Sequence, residues 1–252
     1  MTVLAVEGLR KSFGGVLAVD GVSLAVGAGE MLALIGPNGA GKSTCFNMVG
    51  GQLRPDAGSV RLAGRDIAGA APRRICRLGV GRTFQVTATF ASMTARENVQ
   101  VAAVAHRGGT WRPWRAAAGL ERPAAEALLG QVGLSAQAER AAGMLAYGDL
   151  KRLELAMALA AEPRLLLMDE PTAGMAAGER VALMRLVRGI ATERGLAVLF
   201  TEHDMDVVFG VSDRIAVLAR GALIAAGSPE AIRADPQVRA IYLGAGRMGG
   251  GA

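Results

Sequence analysis

The chain has 252 residues, enough for one sizeable hydrophobic core with a subdomain inserted into it. Apolar residues make up 51% of it and aromatic residues 4%, but no uninterrupted apolar stretch approaches the roughly 20 residues that a membrane helix needs. The formal charge is +6, yet the basic residues are scattered with little aromatic interleaving, which argues against nucleic acid as a partner.

The first residues, MTVLAVEGLRK, lack a basic region followed by a long apolar one. We therefore expect no signal peptide and a cytoplasmic location. The two cysteines, Cys45 and Cys76, have no metal-ligand spacing. We predict that both are small buried thiols in a reducing compartment.

Short alternating strands are predicted over residues 2–26, with a turn at residues 13–15. Phe13 lies just ahead of the two glycines of this turn. An aromatic ring at such a place can stack on a nucleotide base, whereas an ordinary core phenylalanine is the simpler interpretation. Spacing alone favours the core.

A phosphate-binding loop is predicted at residues 36–44, GPNGAGKST, which match G-x-x-x-x-G-K-[ST]. The apolar run MLALI at 31–35 predicts a buried strand before it, and residues 43–49 predict a helix after it. Glycines let backbone N–H groups point at an anion, and the helix adds its positive end. Lys42 is expected to reach the β- and γ-phosphates, and Ser43 to take one Mg²⁺ position. The residues expected to bind a nucleoside triphosphate here are Gly36, Asn38, Gly39, Gly41, Lys42, Ser43 and Thr44.

A turn at 55–58 and an alternating strand after it complete a β-rich flap beside the nucleotide-binding sheet. Residues 79–85, GVGRTFQ, then predict a short strand that ends on Gln85. A glutamine at a strand end is usually solvated. Next to a P-loop it can also hold Mg²⁺ or the attacking water, so both interpretations stay open.

A capping box at residues 94–97, TARE, predicts a helix that runs through about Ala105. The pattern stays helical as far as Pro163, with interruptions at Trp111, Trp114 and a loop near residue 143. The tryptophans either cover a helical lobe or face a partner, and the sequence does not decide between these. Residues 145–149, LAYGD, lead directly into the last apolar helix of this segment.

A central parallel strand is predicted at 165–170, LLLMDE, because it is apolar on both faces. Two acids at its carboxyl end are costly unless a cation uses them, and that edge of a doubly wound sheet is where ligands sit. Asp169 suits the Mg²⁺ shell, and Glu170 suits a general base for water. The alternative is a polar turn into Pro171.

Residues 178–193 predict a helix, and AVLFT at 197–201 predicts another buried strand, which is followed by His203. A lone histidine is usually structural, but this one follows a strand expected to run parallel to the one that bears Glu170. A role at the γ-phosphate is therefore equally supported. A hairpin at 215–226 and a short helix with Ser228 as N-cap come next, and the tail at 246–252 is predicted to be disordered.

Taken in this order, the motifs resemble those of the ATP-binding subunits of ABC transporters over nearly the whole chain. Within that group the chain looks most like the ATPases of branched-chain amino acid importers. The stretches that carry this resemblance are GVGRTFQ (79–85), DEPTAGM (169–175), TEHDMDVV (201–208), SDRIAVL (212–218) and GSPEAIRADPQVRAIYLG (227–244).

The resemblance implies roles for individual residues. Phe13 becomes the aromatic that stacks on adenine, and Gln85 becomes the glutamine that senses the membrane subunit and touches Mg²⁺ or water. Ala146 and Gly148 belong to the signature motif that completes the ATP site of a partner subunit. Asp169 and Glu170 are the Walker B pair, and His203 is the switch histidine.

Two departures from the general family pattern concern the signature and the loop after Walker B. The general signature is LSGGQ, but Ala146 stands at its serine and Asp149 at its glutamine. The missing serine would hydrogen-bond the γ-phosphate, a charge-assisted bond of about 1.5–3 kcal/mol. Gly148 and the helix N-terminus remain, so the anion site is weakened rather than abolished. Ala176 stands where these ATPases generally carry an aspartate.

The resemblance also implies the fold: an α/β P-loop NTPase of the ABC type with a RecA-like core, an N-terminal antiparallel β subdomain and an inserted helical subdomain. We expect one domain over 1–245, with a RecA-like and β lobe at 1–89 and 163–245 and a helical lobe at 90–162.

The implied function is that of the ATP-hydrolysing subunit of an importer of branched-chain or related amino acids, with ATP and Mg²⁺ as cofactors. The implied partners are membrane permease subunits, a second ATPase subunit (itself or a paralogue) in a head-to-tail dimer, and indirectly a periplasmic binding protein. The protein would then lie in the cytoplasm on the inner face of the cell membrane.

Three alternatives remain. An ATPase of lipopolysaccharide export has a similar YLG ending, but RTFQ and EHDM argue against it. A regulatory subunit with little turnover is motivated by Ala146 and Ala176. A soluble ABC ATPase of DNA repair or translation would usually show paired cassettes or long inserts, whereas this sequence shows one cassette and no such insert.

Overall fold

The computed structural model describes residues 1–83, 89–107 and 121–243. The strands in these ranges are β1 (Thr2–Phe13), β2 (Val16–Gly27), β3 (Met31–Ile35), β4 (Ala57–Leu62), β5 (Arg65–Asp66), β6 (Val80–Thr83), β7 (Leu165–Asp169), β8 (Ala197–Thr201), β9 (Arg214–Ala219) and β10 (Ala222–Gly227). The helices are α1 (Lys42–Val49), α2 (Pro72–Arg77), α3 (Ala95–His106), α4 (Arg122–Gln131), α5 (Tyr147–Leu159), α6 (Ala177–Arg194), α7 (Met205–Val211), α8 (Pro229–Ala234) and α9 (Pro236–Leu243).

The central sheet has the strand order β10-β9-β3-β8-β7-β6, and it is parallel except for the edge strand β10. Strands β3 and β8 are buried along their whole length, as expected for parallel strands covered on both faces. Successive side chains point to opposite faces. The central sheet accordingly has a hydrophobic core on each face. The core that it shares with α3 to α6 contains Met31, Ala33 and Ile35, and the core that it shares with the second sheet contains Leu32 and Leu34.

The second sheet is antiparallel throughout, with the order β2-β1-β4-β5. Strands β1 and β2 each span 12 residues, so the short strands that we predicted are in fact one long hairpin. The pairing runs from Thr2 opposite Gly27 to Phe13 opposite Val16, and its register shifts at several points along the hairpin. The predicted turn at 13–15 is confirmed as the tip of this hairpin.

Helices α3, α4 and α5 lie between β6 and β7 in the chain and pack on one another. The predicted capping box is confirmed: the Thr94 hydroxyl accepts from the Glu97 N–H, and the Glu97 carboxylate accepts from the Thr94 N–H at 2.8 Å. Buried Asn98 then fixes the segment ahead of α3, because its side chain bonds both backbone groups of Phe90. The lobe boundaries at 89/90 and 162/163 stay predictions.

Other predictions are confirmed or corrected in detail. Ser228 caps α8 with Pro229 at the first helical position, as predicted. Cys45 is buried, but the prediction for Cys76 is wrong, since it lies on the outward side of α2 and is exposed. Gln85, Trp111, Trp114 and the tail at 246–252 lie outside the described residues. Within the described ranges, no helix is both long enough and apolar enough to cross a membrane.

Candidate functional site

Three neighbouring parallel strands bring the predicted site residues to one edge of the central sheet. The glycine-rich loop follows β3, His203 follows β8, and Asp169 ends β7. Because β3 pairs with β8 and β8 pairs with β7, all in parallel, their carboxyl ends meet at the same edge. This is the edge at which ligands bind in open α/β sheets.

Two glycines fix the path of the loop. At Gly36, with φ +155°, a Cβ would lie 2.2 Å from the Leu218 carbonyl oxygen. At Gly41, with φ +98°, a Cβ would lie 2.5 Å from the Ala18 carbonyl oxygen. Neither position tolerates a side chain, because backbone approaches the loop closely on both sides. The loop is therefore held between β9 and the N-terminal hairpin.

Lys42 lies inside this loop with 7% of its surface exposed. Its Nζ donates to the carbonyl oxygens of Gly36 at 2.7 Å and Pro37 at 3.1 Å. Desolvation lowers the pKa of Lys42, while the nearby carboxylates of Glu170 and Asp169 act to raise it. A buried ammonium held by neutral carbonyls is stabilised by any anion that enters the loop.

The N-terminus of α1 lies open beside the loop. Gly41 occupies the N-cap position and no side chain caps the first turn. The backbone N–H groups there need a partner, and the positive end of the helix dipole favours an anion. Asn38, Gly39 and Ser43 are exposed at this face and Thr44 is half-buried. The loop and the helix together form a cradle for phosphate oxygens.

Asp169 is held at the end of β7 by groups from both neighbouring strands. Its Oδ1 accepts from the Thr201 hydroxyl at 2.7 Å, and its Oδ2 lies 3.9 Å from Nη2 of Arg82. Arg82 in turn donates to the side-chain oxygens of Gln52 at 2.6 Å and Asn47 at 3.0 Å. The carboxylate is thus oriented beside Lys42 with its remaining lone pairs available for a cation.

Glu170 adopts a left-handed backbone conformation with φ +49°, which is uncommon for a residue with a side chain. Its N–H donates to the Thr201 hydroxyl at 3.0 Å and to the Thr201 carbonyl at 3.2 Å, and these bonds hold it there. Its Oε1 lies 2.8 Å from Nε2 of His203. The structure therefore brings the predicted base and the predicted histidine into direct hydrogen-bond contact.

Sequence reasoning missed Thr201, Arg82 and Glu202 as parts of this site. From the sequence, Thr201 is only the end of a buried strand. Like Asp169, however, it is a polar residue at the carboxyl end of a buried parallel strand, which is the position expected of a ligand-binding residue. Arg82 gave no signal because its partners are distant in the chain. Glu202 stands in the stretch TEHDMDVV with no role assigned to it from the sequence, but it is buried with 5% of its surface exposed.

The oxygen donors at this edge fit Mg²⁺ in kind. A hydroxyl at Ser43 and a carboxylate at Asp169 are ligands that Mg²⁺ takes, and it usually keeps waters and phosphate oxygens as the others. In the part of the chain that the structure describes, no three histidine, cysteine or acidic side chains form a group able to hold a metal by themselves. This arrangement matches a metal that takes few ligands from the protein and the rest from phosphate oxygens and water.

Phe13 lies at the tip of the N-terminal hairpin with 46% of its surface exposed, so the core position that spacing favoured is wrong. The same hairpin reaches the P-loop, because the Ala18 carbonyl packs against Gly41. The ammonium of Lys11 lies 5.6 Å from the centre of the Phe13 ring. An exposed ring at the tip of the hairpin that reaches the P-loop is available to a base, and stacking stays a prediction.

The signature residues lie apart from the cradle. Ala146 is exposed at the N-cap of α5, where no side chain caps the helix. A Cβ on Gly148 would have only the Glu179 carboxylate of α6 among its three nearest atoms, at 3.2 Å and beyond. Tyr147, half-exposed between them, donates from its hydroxyl to the Ala173 carbonyl at 2.9 Å. The structure does not bring Ala146 or Gly148 to the P-loop of the same chain.

A glycine-rich loop that buries a lysine, an open helix N-terminus and two acids at the carboxyl end of a parallel strand in the same sheet define a P-loop NTPase. Comparison with known proteins refines this class. The ABC transporter family model matches residues 19–173, and a model for branched-chain amino acid ATP-binding cassette transporters matches residues 222–247.

Two curated relatives match over almost their whole length. The chain is 42% identical to the high-affinity branched-chain amino acid transport ATP-binding protein BraF of Pseudomonas aeruginosa, covering 96% of this chain and 98% of BraF. It is 41% identical to the corresponding protein LivG of Salmonella typhimurium, again over 96% and 98%. A solved ADP conformation of MJ1267, an ATP-binding cassette of an ABC transporter, superposes with a TM-score of 0.86 at 32% identity over 97% of this chain and 99% of that one.

The chain therefore belongs to the ABC transporter family of ATP-binding cassettes, and it is an ATPase of that family. The predicted fold, an α/β P-loop NTPase of the ABC type with an N-terminal antiparallel sheet and helices inserted before β7, is confirmed.

Proposed function

We propose that this protein hydrolyses ATP to drive uptake of branched-chain or related amino acids through a membrane permease. The observation that carries the chemistry is the contact of Glu170 with His203, at the sheet edge that also holds buried Lys42. The cargo class is supported by the family model matched at residues 222–247 and by the names of BraF and LivG.

In this proposal Lys42 leaves the carbonyls of Gly36 and Pro37 and binds the β- and γ-phosphates of ATP. Its positive charge then stabilises the charge that develops as the γ-phosphate leaves. Glu170 accepts a hydrogen bond or a proton from the attacking water, and His203 orients Glu170 and lies beside the γ-phosphate. Ser43, Asp169 and Gln85 would hold Mg²⁺, which neutralises phosphate charge when bound.

The site is proposed to be shared between two subunits. Gly148 lies beside Glu179 of α6, and Ala146 is exposed at the uncapped N-terminus of α5. In a head-to-tail dimer each of these helix ends would face the γ-phosphate bound by the other subunit. The second subunit would be another copy or a paralogue.

The remaining partners follow from the importer role. We propose that the protein lies in the cytoplasm against permease subunits at the inner face of the cell membrane, and that a periplasmic binding protein acts on it only through them. Nucleic acid is not among the proposed partners, because the arginines are scattered along the chain.

A second candidate is a subunit that binds nucleotide but turns over slowly. Ala146 lacks the hydroxyl that would contact the γ-phosphate, and Ala176 lacks a carboxylate. This candidate would bind nucleotide without hydrolysis linked to transport. The liposome experiment described next distinguishes it from the importer.

The test begins with mass spectrometry of what co-purifies with the protein from solubilised membranes. The identified complex is then placed in liposomes with its binding protein, and uptake of radiolabelled leucine is measured with MgATP. We expect uptake that requires ATP and is lost in Glu170→Gln. ATP-dependent release of lipopolysaccharide without amino-acid uptake would support the exporter, and unchanged uptake in Glu170→Gln would contradict the proposed chemistry.

A further inference from the structure

Glu202 is a buried carboxylate that the proposed mechanism does not use. It follows β8 directly, and 5% of its surface is exposed. Its Oε1 accepts two hydrogen bonds from Thr172, one from the N–H at 3.0 Å and one from the hydroxyl at 2.6 Å. Its Oε2 accepts from the N–H of His203 at 3.2 Å. A single carboxylate therefore joins the segment after β7 to the segment after β8.

These three hydrogen bonds come from neutral donors. A buried charge that is not hydrogen-bonded is strongly unfavourable, so both carboxylate oxygens need the donors that they have. Thr172 is itself 1% exposed, which leaves its N–H and hydroxyl dependent on Glu202. The pair is therefore mutually satisfied, and the loss of either side leaves buried polar groups without partners.

The position of this pair relates it to the chemistry. Glu170 lies two residues before Thr172, and His203 directly follows Glu202. Thr201 fixes the start of the turn at Glu170 through two hydrogen bonds, and Glu202 fixes its end at Thr172. Between these two fixed points Glu170 keeps a φ of +49°, a conformation that persists only where surrounding contacts hold it.

We propose that Glu202 is a positioning residue that sets the contact between Glu170 and His203. It touches neither nucleotide nor water, and acts by fixing the backbone on both sides of that 2.8 Å contact. The inference rests on the proposed roles of Glu170 and His203. A base that is displaced by a fraction of an ångström still leaves the phosphate cradle intact, so turnover falls while ATP affinity stays.

The test uses the purified full-length protein in MgATP, with kcat and KM measured at a protein concentration that saturates the rate. Binding is measured separately with the fluorescent analogue TNP-ATP, and the folded fraction with a thermal melt. Glu202→Gln preserves volume, but an amide has one acceptor oxygen and cannot serve both Thr172 and His203. We expect kcat to fall about ten- to hundredfold, as for a misplaced catalytic group, with TNP-ATP affinity near that of wild type.

Thr172 offers a second route should Glu202→Gln fail to fold. Thr172→Val keeps the branched shape and removes the hydroxyl, whereas Thr172→Ser keeps the hydroxyl, so the serine variant should retain much more of the turnover. Thr192→Val is the matched control, because Thr192 is exposed on α6 and its hydroxyl bonds only the Arg188 carbonyl. We expect the control to hydrolyse ATP at the wild-type rate.

Glu170→Gln in the same assay tests the proposed role of Glu170 separately from the proposed role of Glu202. If it hydrolyses ATP normally, the proposed role of Glu170 fails. If it is inactive while folded Glu202→Gln and Thr172→Val keep the wild-type kcat, the role of Glu202 alone is wrong. A loss of kcat that merely follows the loss of folded protein, or a rise in KM at unchanged kcat, would also overturn the positioning role.

Discussion

The P-loop region and the predicted signature region of this molecule differ in how many of their polar and charged groups find partners within the chain. Around the P-loop, Lys42 is buried, Asp169 is bonded to Thr201, and Glu170 meets His203. At the signature, Ala146 is exposed and Tyr147 is 45% exposed at the uncapped start of α5. The predicted nucleotide-binding contacts around the P-loop are thus made within the chain, whereas the N-terminus of α5 is exposed and Gly148 lies beside Glu179 of α6. The difference is the basis for our proposal that two chains share one ATP site.

Of the substitutions considered, removal of the positive charge of Lys42 in the P-loop should reduce activity most. Lys42→Ala should abolish tight MgATP binding or turnover, because no other residue of the loop supplies that point charge. Binding of TNP-ATP and phosphate release measure the two losses. Arg185→Ala, which removes an exposed cation from α6, should change neither. Normal hydrolysis by Lys42→Ala in the assembled transporter would contradict the assignment of the site.

The divided site predicts a dependence on protein concentration. If the site is divided as proposed, a single chain supplies only part of the charge around the γ-phosphate, and electrostatic stabilisation is usually the largest catalytic contribution. The isolated wild type should hydrolyse ATP slowly, with a rate per subunit that rises with concentration or on addition of the partner and permease. A fast rate per subunit that is the same at every concentration would show that one chain suffices.

A smaller effect is expected at the hairpin tip. Phe13→Ala should weaken ATP binding by about 1–3 kcal/mol, by analogy with bases stacked on aromatic side chains. Val16→Ala is the control, since Val16 pairs with Phe13 in β1 and β2 and is 70% exposed. Isothermal titration with ATP compares the two variants. Equal affinity in both would mean that Phe13 is not a stacking residue.

The smallest effect is expected at the signature. Ala146→Ser restores a hydroxyl at the N-cap of α5, where serine is favoured and where it can face the partner's γ-phosphate. Its ATPase activity should be at least that of wild type, whereas Ala182→Ser, on the exposed face of α6, should leave the rate unchanged. A steep loss of turnover in Ala146→Ser alone would show that LAYGD is aligned wrongly with the general signature.

Local patterns in the sequence predicted the elements that bear the site. The strand predicted at 165–170 is β7 at Leu165–Asp169, and the strand predicted at 197–201 is β8 with the same bounds. Both are short apolar runs with polar residues at the carboxyl end, a signal that depends only on neighbours in the chain. The helix predicted to end at Pro163 stops earlier, at Leu159, because Pro163 has no N–H to bond the Leu159 carbonyl and its ring would clash with that carbonyl in a helix.

The contacts that orient the catalytic groups could not be predicted in the same way. Thr201 bonds Asp169 and Glu202 bonds Thr172 across two strands, and the residues in each pair are about thirty positions apart in the chain. Neither pairing leaves a periodic signal. Phe13 and Cys76 were misjudged for a related reason, since apolar character predicts burial on average but not at the tip of a particular hairpin or on one side of a short helix.

We propose that the P-loop of one chain and the signature of another form one ATP site. Light scattering during size-exclusion chromatography of Glu170→Gln, which should bind ATP but not complete the water step, tests for this shared site. In MgATP, with any paralogous subunit that co-purifies, we expect a species of twice the 25.9 kDa subunit mass, and a monomer without nucleotide. A mass that stays at one subunit in MgATP, even with every partner present, would contradict the shared site.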